Sequence, residues 1–281
     1  MTVIALLTKE PKTYDSRALL RAIEAVGYEA LVLDYTDPEA LFRIGDRKIT
    51  AVIPRHTPQY ASRVAEIVEA LESKDVYSVA GAHAIRSANN KYATYICLSG
   101  KQIATPNTIL LGESSAPGLA ELQEVFGNQC VVKPVSGSKG HGVELVRLDS
   151  TVDLDRYIDS GDKYIAQEYI EEAAGEDIRA FVVGGQVVAA MKRTSQGSDF
   201  RSNLHLGGTA SAVALGEEER KLAVSAASAV GLHVAGIDII RSERGPMVIE
   251  VNSSPGLMGI EKATGIHIAV SILDHIKHAT S

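Results

Sequence analysis

The sequence lacks several features that define whole classes of protein. It contains no tryptophan, and aromatic residues make up only 5% of its 281 positions. This composition disfavours a groove lined by aromatic rings, of the kind that binds carbohydrates or single-stranded nucleic acids. Two cysteines, Cys97 and Cys130, are too few for a disulfide framework or a cysteine-based zinc site. Each lies in an apolar context, so we expect both to pack in the core.

Long apolar runs and an excess of basic charge are also missing. The longest nearly apolar run, residues 180–191, is interrupted by Gly184 and Gly185 and is too short to cross a bilayer. Val3–Leu7 has no basic segment before it, so it predicts a strand rather than a signal peptide. A formal net charge of −7 disfavours non-specific nucleic-acid binding, which requires a basic face. We therefore expect a cytoplasmic protein with no membrane partner and no direct nucleic-acid partner.

The hydrophobic pattern predicts an α/β unit followed by an α+β body. Strands alternate with helices over about the first 85 residues, as is typical of a small parallel sheet. A helix is predicted over Ala88–Leu98, with Ser87 as its N-cap. Paired strands dominate the second half, where Gly184-Gly185 has the pattern of a hairpin turn. A last helix is predicted over Ile266–Ala279.

Three oxygen-bearing side chains near the end of the chain form a candidate metal site. Asp238 lies within an apolar strand, and Glu250 and Asn252 lie two residues apart on the next strand, so these two share a face. A tight turn between the strands would bring Asp238 near Glu250. Hard oxygen ligands of this kind suit Mg²⁺ held partly by phosphate oxygens. The structural alternative is that Asp238 caps a turn and Glu250 pairs with an arginine such as Arg241.

A strand that ends at Lys133-Pro134 leads into a glycine-rich loop of residues 137–142. Because another strand follows, this loop is neither a Walker A loop nor a dinucleotide fingerprint, both of which precede a helix. Its backbone N–H groups could fold over anionic phosphates, although an ordinary hairpin has the same pattern. Lys133, at the end of a Val-Val strand, is suited to meet phosphates beneath the loop.

The sequence contains no signature of a hydrolase that uses a nucleophilic serine or a helix-borne zinc ion. Neither a Gly-x-Ser-x-Gly elbow nor a His-Glu-x-x-His motif occurs. His275 and His278 share one face of the last helix, but no third ligand accompanies them. We expect both to lie at a solvated helix end.

Several motifs follow one another in an order that characterises a known family. The upstream motifs are Ala51-Val-Ile-Pro-Arg55, Val131-Val-Lys133-Pro, the loop 137–142, Gln167-Glu-Tyr-Ile170 and Asp177-Ile-Arg179. The downstream motifs are Asp199-Phe-Arg-Ser-Asn-Leu-His205, Gly207-Gly208, Val234-Ala-Gly-Ile-Asp238, Glu250-Val-Asn-Ser-Ser-Pro-Gly256 and Gly259-Ile-Glu-Lys-Ala-Thr-Gly265. This series resembles the RimK family of ATP-grasp ligases over essentially the whole chain.

The resemblance implies an ATP-grasp fold of mixed α/β and α+β class. An N-terminal α/β pre-ATP-grasp domain would occupy residues 1–86. A central subdomain with the glycine-rich lid would occupy residues 87–170, and a C-terminal subdomain with the metal ligands would occupy residues 171–281. ATP would lie between the last two parts, and a homodimer or homotetramer would be expected.

The resemblance also implies roles for individual residues. Catalysis would depend on Arg179 and Arg201. Substrate would be bound by Arg179, Asn203, Gly207 and Gly208. Two Mg²⁺ ions, with Mn²⁺ as a possible substitute, would be held by Asp238, Glu250 and Asn252. ATP would be bound by Lys91, Lys133, Gly137, Ser138, Gly140, Gln167, Glu168, Tyr169, Ile170, Asp177, Arg201, Ser202 and Asn203.

The implied reaction joins a carboxylate to an amine through an acyl phosphate, with release of ADP. The expected amine is that of L-glutamate, and the expected acceptor is the C-terminal glutamate of a small-subunit ribosomal protein. Alternatives are a small molecule, a short peptide such as poly-α-glutamate, or an amino-group carrier protein. A non-catalytic nucleotide-binding regulator is a further alternative, which the intact set of candidate metal ligands disfavours.

Two features bear on the acceptor. Leu206 stands where the family commonly has a long polar or basic residue, so one charge contact beside the substrate is absent. The net charge of −7 means that a basic cleft for an acidic acceptor must be confined. Candidates to supply that cleft are Lys133, Lys139, Lys192 and Arg193.

Overall fold

The computed structural model describes residues 2–44, 47–112, 118–137, 140–149, 155–158, 163–196, 200 and 207–281. Three sheets organise these residues, one after another along the chain. Within these ranges no helix has the length and apolarity needed to cross a membrane. The expected cytoplasmic location stays a prediction.

The first sheet is parallel, as the alternation of strands and helices predicts. Its strands lie in the order β2-β1-β3-β4. Alternate residues of the first strand belong to different cores. Ala5 is in the core that includes Val64 of one helix, and Leu6 is in the core that includes Leu19 of another. Both faces are therefore buried, as in most parallel sheets. The elements are β1 (Val3–Leu7), α1 (Tyr14–Ala25), β2 (Glu29–Leu33), β3 (Ile49–Pro54), α2 (Ala61–Glu72) and β4 (Tyr77–Ser78).

Two short helices connect the first sheet to the second, where we predicted one. They are α3 (Ala82–Ala88) and α4 (Lys91–Gly100). Ser87 lies inside α3, so its prediction as an N-cap is wrong. The cap is Asn90, whose side chain accepts a 2.9 Å hydrogen bond from the N–H of Ala93. Asparagine is among the strongest N-cap residues, and this cap fixes where α4 begins.

The second sheet is antiparallel, with strands in the order β5-β8-β6-β7. One face packs a small core of its own around Cys130, Val132 and Ala166. The opposite face carries Lys133 and Gln167, because side chains alternate along a strand. The elements are β5 (Thr108–Leu111), α5 (Leu119–Phe126), β6 (Gln129–Pro134), β7 (Glu144–Arg147), α6 (Asp155–Ile158) and β8 (Tyr164–Glu168).

The third sheet is antiparallel, with strands in the order β11-β10-β9-β12-β13. The predicted hairpin at Gly184-Gly185 is confirmed, and both glycines have positive φ angles, of 57° and 77°. These angles match a two-residue hairpin turn that only glycine adopts readily. The elements are β9 (Glu176–Val183), β10 (Gln186–Thr194), β11 (Thr209–Ala212), α7 (Glu217–Val230), β12 (Val234–Ser242), β13 (Gly245–Asn252), α8 (Met258–Thr264) and α9 (Ile268–Ala279).

The first and third sheets share their hydrophobic cores, whereas the second sheet has a separate one. Val52 of β3 and Val182 of β9 belong to one continuous cluster. Ile53 and Phe181, their neighbours in sequence, belong to another. The first and third parts of the chain are thus packed together, and the domain limits at residues 86 and 170 stay a proposal.

His275 does not lie at a solvated helix end, so that prediction is wrong. Its Nε2 lies 2.7 Å from the Tyr77 hydroxyl, and its ring stands 5.5 Å from that of His233. Burial and the neighbouring His233 lower its pKa below the usual 6.5. The side chain therefore joins α9 to the first sheet. His278 is exposed, as predicted.

Candidate functional site

A cleft between the second and third sheets brings many of the predicted site residues together. Its volume is about 170 Å³. The second sheet contributes Lys133 and Gln167, and the third contributes Arg193, Asp238 and Glu250. The cleft therefore gathers cations and carboxylates that are far apart in sequence.

Lys133 lies on the cleft face of β6 and is 9% exposed. Its ammonium donates a 2.8 Å hydrogen bond to Oε1 of Gln167. Burial, together with the positive charge of Lys91, lowers its pKa from 10.5 to about 8. An anionic occupant would stabilise the charged ammonium, so this part of the cleft favours a negatively charged ligand.

Lys91 occupies the first position of α4 and also lines the cleft. Its backbone N–H donates to the carbonyl of Val135 at 2.9 Å, which fixes the start of the helix against the base of the glycine-rich loop. Its ammonium donates a 3.1 Å hydrogen bond to the carbonyl of Gly137 and lies 3.8 Å from Glu250. One lysine thus touches both the loop and the third sheet.

The glycine-rich loop connects two antiparallel strands, β6 and β7, as the sequence predicts. Gly137 and Gly140 line the cleft. At Gly142, φ is 68°, and an added Cβ would lie 2.9 Å from Cγ of Pro134. Any larger residue there would be strained and would also collide with the preceding strand. Ser138 and Lys139 lie outside the described residues, and their roles stay predictions.

Asp238 is at the centre of a buried cluster of charges. Arg179 donates to both of its carboxylate oxygens, with 2.8 Å from Nη2 to Oδ2, and Nη2 of Arg193 lies 3.0 Å from Oδ2. Arg193 also donates to both oxygens of Asp177, at 2.6 and 2.5 Å. Burial alone would raise the pKa of Asp238, but the two guanidinium groups outweigh it and hold that pKa at about 2. The carboxylate is therefore ionised at neutral pH.

The strand register explains this cluster. Asp238 of β12 is the direct partner of Arg179 on β9, and Arg193 of β10 is the direct partner of Asp177 on β9. Directly opposed side chains lie close enough to pair. The alternative that Asp238 caps a turn is wrong, because it lies in the middle of a strand. The alternative pairing of Arg241 with Glu250 is also wrong, because Arg241 donates to Glu219 at 2.6 Å.

Glu250 and Asn252 stand beside Asp238, as predicted. Asp238 and Glu250 are register partners, and Asn252 follows two residues later on β13. Glu250 has 31% of its side chain exposed, which leaves its carboxylate accessible from the cleft. The amide nitrogen of Asn252 donates to the carbonyl of Gly236 at 3.3 Å, which leaves its oxygen available as a ligand.

This donor set fits a hard divalent cation that is completed by other oxygens. It offers two carboxylates and one amide oxygen, the chemistry that Mg²⁺ prefers, and too few ligands for a closed cage. Within the described ranges, no group of three or more His, Cys, Asp or Glu side chains could hold a metal ion alone. A cation at Glu250 and Asn252 would need oxygens from a ligand such as a polyphosphate.

The predicted adenine-binding stretch, Gln167–Ile170, lines the cleft, but each of its side chains contacts a different part of the protein. Glu168 accepts hydrogen bonds from the guanidinium of Arg244 and from the backbone N–H of Asn107. The Tyr169 ring meets the Phe200 ring edge-to-face at 6.0 Å. Ile170 is buried against the third sheet. The Gln167 side chain is directed to Lys133, so only the backbone of this residue could serve a base.

The remaining predicted residues are described only in part. Gly207 has a positive φ of 92°, and Gly208 precedes β11. Of the candidates for a basic cleft, Arg193 lines it, whereas Lys192 is not among its lining residues and pairs with Glu176 at 2.6 Å. The predicted residues outside the described ranges are Ser138, Lys139, Arg201, Ser202, Asn203 and Leu206.

One contact network beside the site was not predicted from the sequence. Arg55 is half-buried, pairs with Asp15 at 2.7 Å and donates to the carbonyl of Pro255 at 2.6 Å. The other oxygen of Asp15 accepts from the N–H of Met258 at 3.1 Å. The first part of the chain therefore fixes the loop that directly follows Asn252. The available signal was Arg55 at the carboxyl end of a buried strand, within a motif that resembles the family.

The sequence model of the RimK-like ATP-grasp domain matches residues 88–276. Proteins named as probable alpha-L-glutamate ligases from Pseudoalteromonas translucida and Methanococcoides burtonii are 40% and 39% identical to this chain. The alignments cover 99% and 98% of this chain and 96% and 95% of those relatives. The similarity therefore extends from one end of the chain to the other.

Solved structures of ATP-grasp ligases share the fold at low sequence identity. The ligase PsnB, complexed with minimal precursor, has a TM-score of 0.76 at 20% identity, with both chains fully covered. D-cycloserine synthetase DcsG has a TM-score of 0.72 at 22% identity, covering 99% of this chain and all of the other. The chain belongs to the RimK-like ATP-grasp family, and it is a carboxylate–amine ligase.

Proposed function

We propose that this ligase joins the amine of L-glutamate to a free carboxylate of its acceptor, using ATP and Mg²⁺. The observation that carries the proposal is the end-to-end similarity, at 40% identity, to a protein named as a probable alpha-L-glutamate ligase. The cleft supports it, because Lys91, Lys133 and Arg193, from one helix and two strands, line it together and suit a triphosphate and a carboxylate.

The cations of the cleft have separate roles in this proposal. Lys91 and Lys133 hold the phosphates of ATP, with the glycine-rich loop above them. Asp238, Glu250 and Asn252 hold Mg²⁺, which when bound offsets the negative charge of the phosphates. We propose two ions, with Mn²⁺ as a substitute.

The reaction needs no nucleophile from the protein. A carboxylate oxygen of the acceptor bonds to the γ-phosphorus, the bond from that phosphorus to the β–γ bridging oxygen breaks, and ADP leaves. The glutamate nitrogen then bonds to the acyl carbon, the bond from that carbon to the phosphate oxygen breaks, and the amine proton passes to solvent. Arg179 and Arg201 stabilise the charge on the transferring group, since such reactions depend on positioning and electrostatics.

The first acceptor to test is the C-terminal glutamate of a small-subunit ribosomal protein. The chain would be incubated with ATP, Mg²⁺ and glutamate, aspartate, lysine or glycine, and with a ribosomal-protein tail peptide and a free dipeptide as competing acceptors. Mass spectrometry should show products heavier by whole glutamyl residues. A preference for a non-acidic amino acid would refute the glutamate assignment, and extension of the dipeptide alone would favour a small-molecule acceptor.

The acyl phosphate is tested separately by adding hydroxylamine in place of the amino acid. A hydroxamate should accumulate together with ADP and phosphate, because hydroxylamine intercepts an activated acyl group. Formation of AMP and pyrophosphate would instead mean adenylation and would overturn the proposed mechanism.

A further inference from the structure

Thr108, Gln167 and Lys133 form a chain of hydrogen bonds beneath the cleft. The Lys133 ammonium donates to Oε1 of Gln167 at 2.8 Å, and Nε2 of Gln167 donates to Oγ1 of Thr108 at 2.9 Å. The Thr108 hydroxyl donates to the carbonyl of Pro106 at 2.9 Å. All three side chains are buried. Thr108 therefore ends a chain that begins at a cleft cation.

The strand register puts these side chains on one face. Thr108 of β5 is the direct partner of Gln167 on β8. Gln167 is the direct partner of Val131 on β6, so Lys133, two residues further, is its diagonal neighbour. Diagonal neighbours lie within reach of long side chains. The contacts thus follow from backbone pairing rather than from a flexible loop.

The chemistry of the groups allows only one donor-to-acceptor direction along this series of hydrogen bonds. A lysine ammonium can only donate, so it must face the amide oxygen of Gln167. The amide nitrogen then faces the Thr108 hydroxyl, whose own hydrogen is directed to a carbonyl that can only accept. The orientation of the Gln167 amide is therefore fixed by its partners rather than free to reverse.

We propose that Thr108 and Gln167 are positioning residues that hold the Lys133 ammonium in its nucleotide-binding orientation. The inference rests on the proposed function, because it takes Lys133 as a phosphate-binding residue. Gln167 is a neutral acceptor, so it orients the ammonium with one hydrogen bond and does not itself neutralise the positive charge. A carboxylate at this position would neutralise the charge that the phosphates need.

The test measures the dissociation constant of a non-hydrolysable ATP analogue with Mg²⁺, by calorimetry, together with kcat and KM for ATP. Thr108→Val should weaken binding and raise KM about fivefold, the effect of one buried hydrogen bond, and change kcat less than about twofold. Ser78→Ala is the matched control, because the Ser78 hydroxyl is also buried and donates to a carbonyl two residues away, at 2.7 Å. It should leave binding and KM unchanged.

A double-mutant cycle separates positioning from general loosening of the sheet. In a Gln167→Met background, Thr108→Val should have no further effect on binding, because the series of hydrogen bonds to Lys133 is already interrupted. Effects that add in full would overturn the proposal, as would a Thr108→Val variant that binds the analogue as well as Ser78→Ala does.

Lys133→Met separates the positioning inference from the proposed phosphate-binding role of Lys133, on which the inference rests. If Lys133→Met loses binding while Thr108→Val does not, the positioning role is refuted and the phosphate role stands. If Lys133→Met binds the analogue normally, the phosphate role itself is refuted, and the positioning role is overturned with it.

Discussion

Replacement of Arg193 by methionine tests the most highly charged part of the cleft. Arg193 has 7% of its side chain exposed and donates to both oxygens of Asp177 and to one of Asp238. Removing one partner of a buried ion pair costs about 3–5 kcal/mol, because the carboxylates stay buried. For a chain of this size, each kcal/mol lowers the melting temperature by about 2–4 °C. We therefore expect Arg193→Met to melt about 10 °C below the wild-type protein.

Arg241→Met is the matched control for this prediction. Arg241 also forms a two-donor contact with a carboxylate, that of Glu219, but 55% of its side chain is exposed. Glu219 is itself buried, but solvent reaches the guanidinium of Arg241 and screens the pair, so we expect Arg241→Met to cost less stability than Arg193→Met. Melting followed by circular dichroism at pH 7, with urea midpoints alongside, gives the comparison. If Arg193→Met is no less stable than Arg241→Met, the cluster is not the stabilising network that its geometry indicates.

Acidification should reduce the difference between Arg193→Met and the wild type. The pKa of Asp238 falls from 3.8 to about 2 on folding, so its ionisation stabilises the fold above pH 3.8. That contribution is lost as the pH falls towards 2, because the unfolded chain takes up the proton first. Removing one of the two guanidinium groups raises the folded pKa and shrinks this contribution in the variant. Urea midpoints between pH 2 and 7 should therefore converge at the acidic end, and a constant difference would contradict this account.

Three further substitutions test separate parts of the structure. Glu250→Gln should lower turnover at saturating Mg²⁺ by about 10²-fold or more, equivalent to about 3 kcal/mol, and leave the protein folded; near-normal turnover would mean that Glu250 is not a ligand. Gly236→Ala should lower both stability and turnover, because its Cβ would lie 2.7 Å from Cβ of Pro255 and 3.1 Å from Cδ of Arg179. Tyr77→Phe should cost about 1 kcal/mol of unfolding free energy and leave turnover unchanged, since the hydroxyl bonds His275 far from the cleft.

Local patterns were enough to predict the features that depend on neighbouring residues in sequence. The apposition of Asp238 and Glu250 follows from two strands joined by a tight turn, and the structure confirms it. The Gly184-Gly185 hairpin follows from the same logic. In each case the two strands are consecutive, so their pairing needs no information from elsewhere in the chain.

Contacts between non-consecutive strands could not be predicted in this way. Arg179 and Asp238 meet because β9 lies beside β12, an arrangement set by packing of the whole sheet. His275 pairs with Tyr77 across 198 positions for the same reason. The error at Ser87 is different in kind, because both Ser87 and Asn90 are suitable caps, and only the break between α3 and α4 selects Asn90.

The basic side chains of the cleft pair with the proposed metal ligands, and this arrangement couples the proposed binding of metal and ATP. Lys91 is near Glu250, and Arg179 and Arg193 hold Asp238, so two of the proposed metal ligands also serve as counter-ions for basic side chains. Mg²⁺ and the phosphates would enter together as one complex. Mg²⁺ would take the place of the basic side chains that now neighbour Asp238 and Glu250. The phosphates would take the place of these two carboxylates next to the basic side chains. Because each charge keeps an opposite charge next to it, this exchange avoids the cost of an unpaired buried ion. ATP without Mg²⁺ would bring phosphates to the carboxylates with no cation between them. The affinity for ATP should therefore depend on Mg²⁺, and the affinity for Mg²⁺ should depend on ATP.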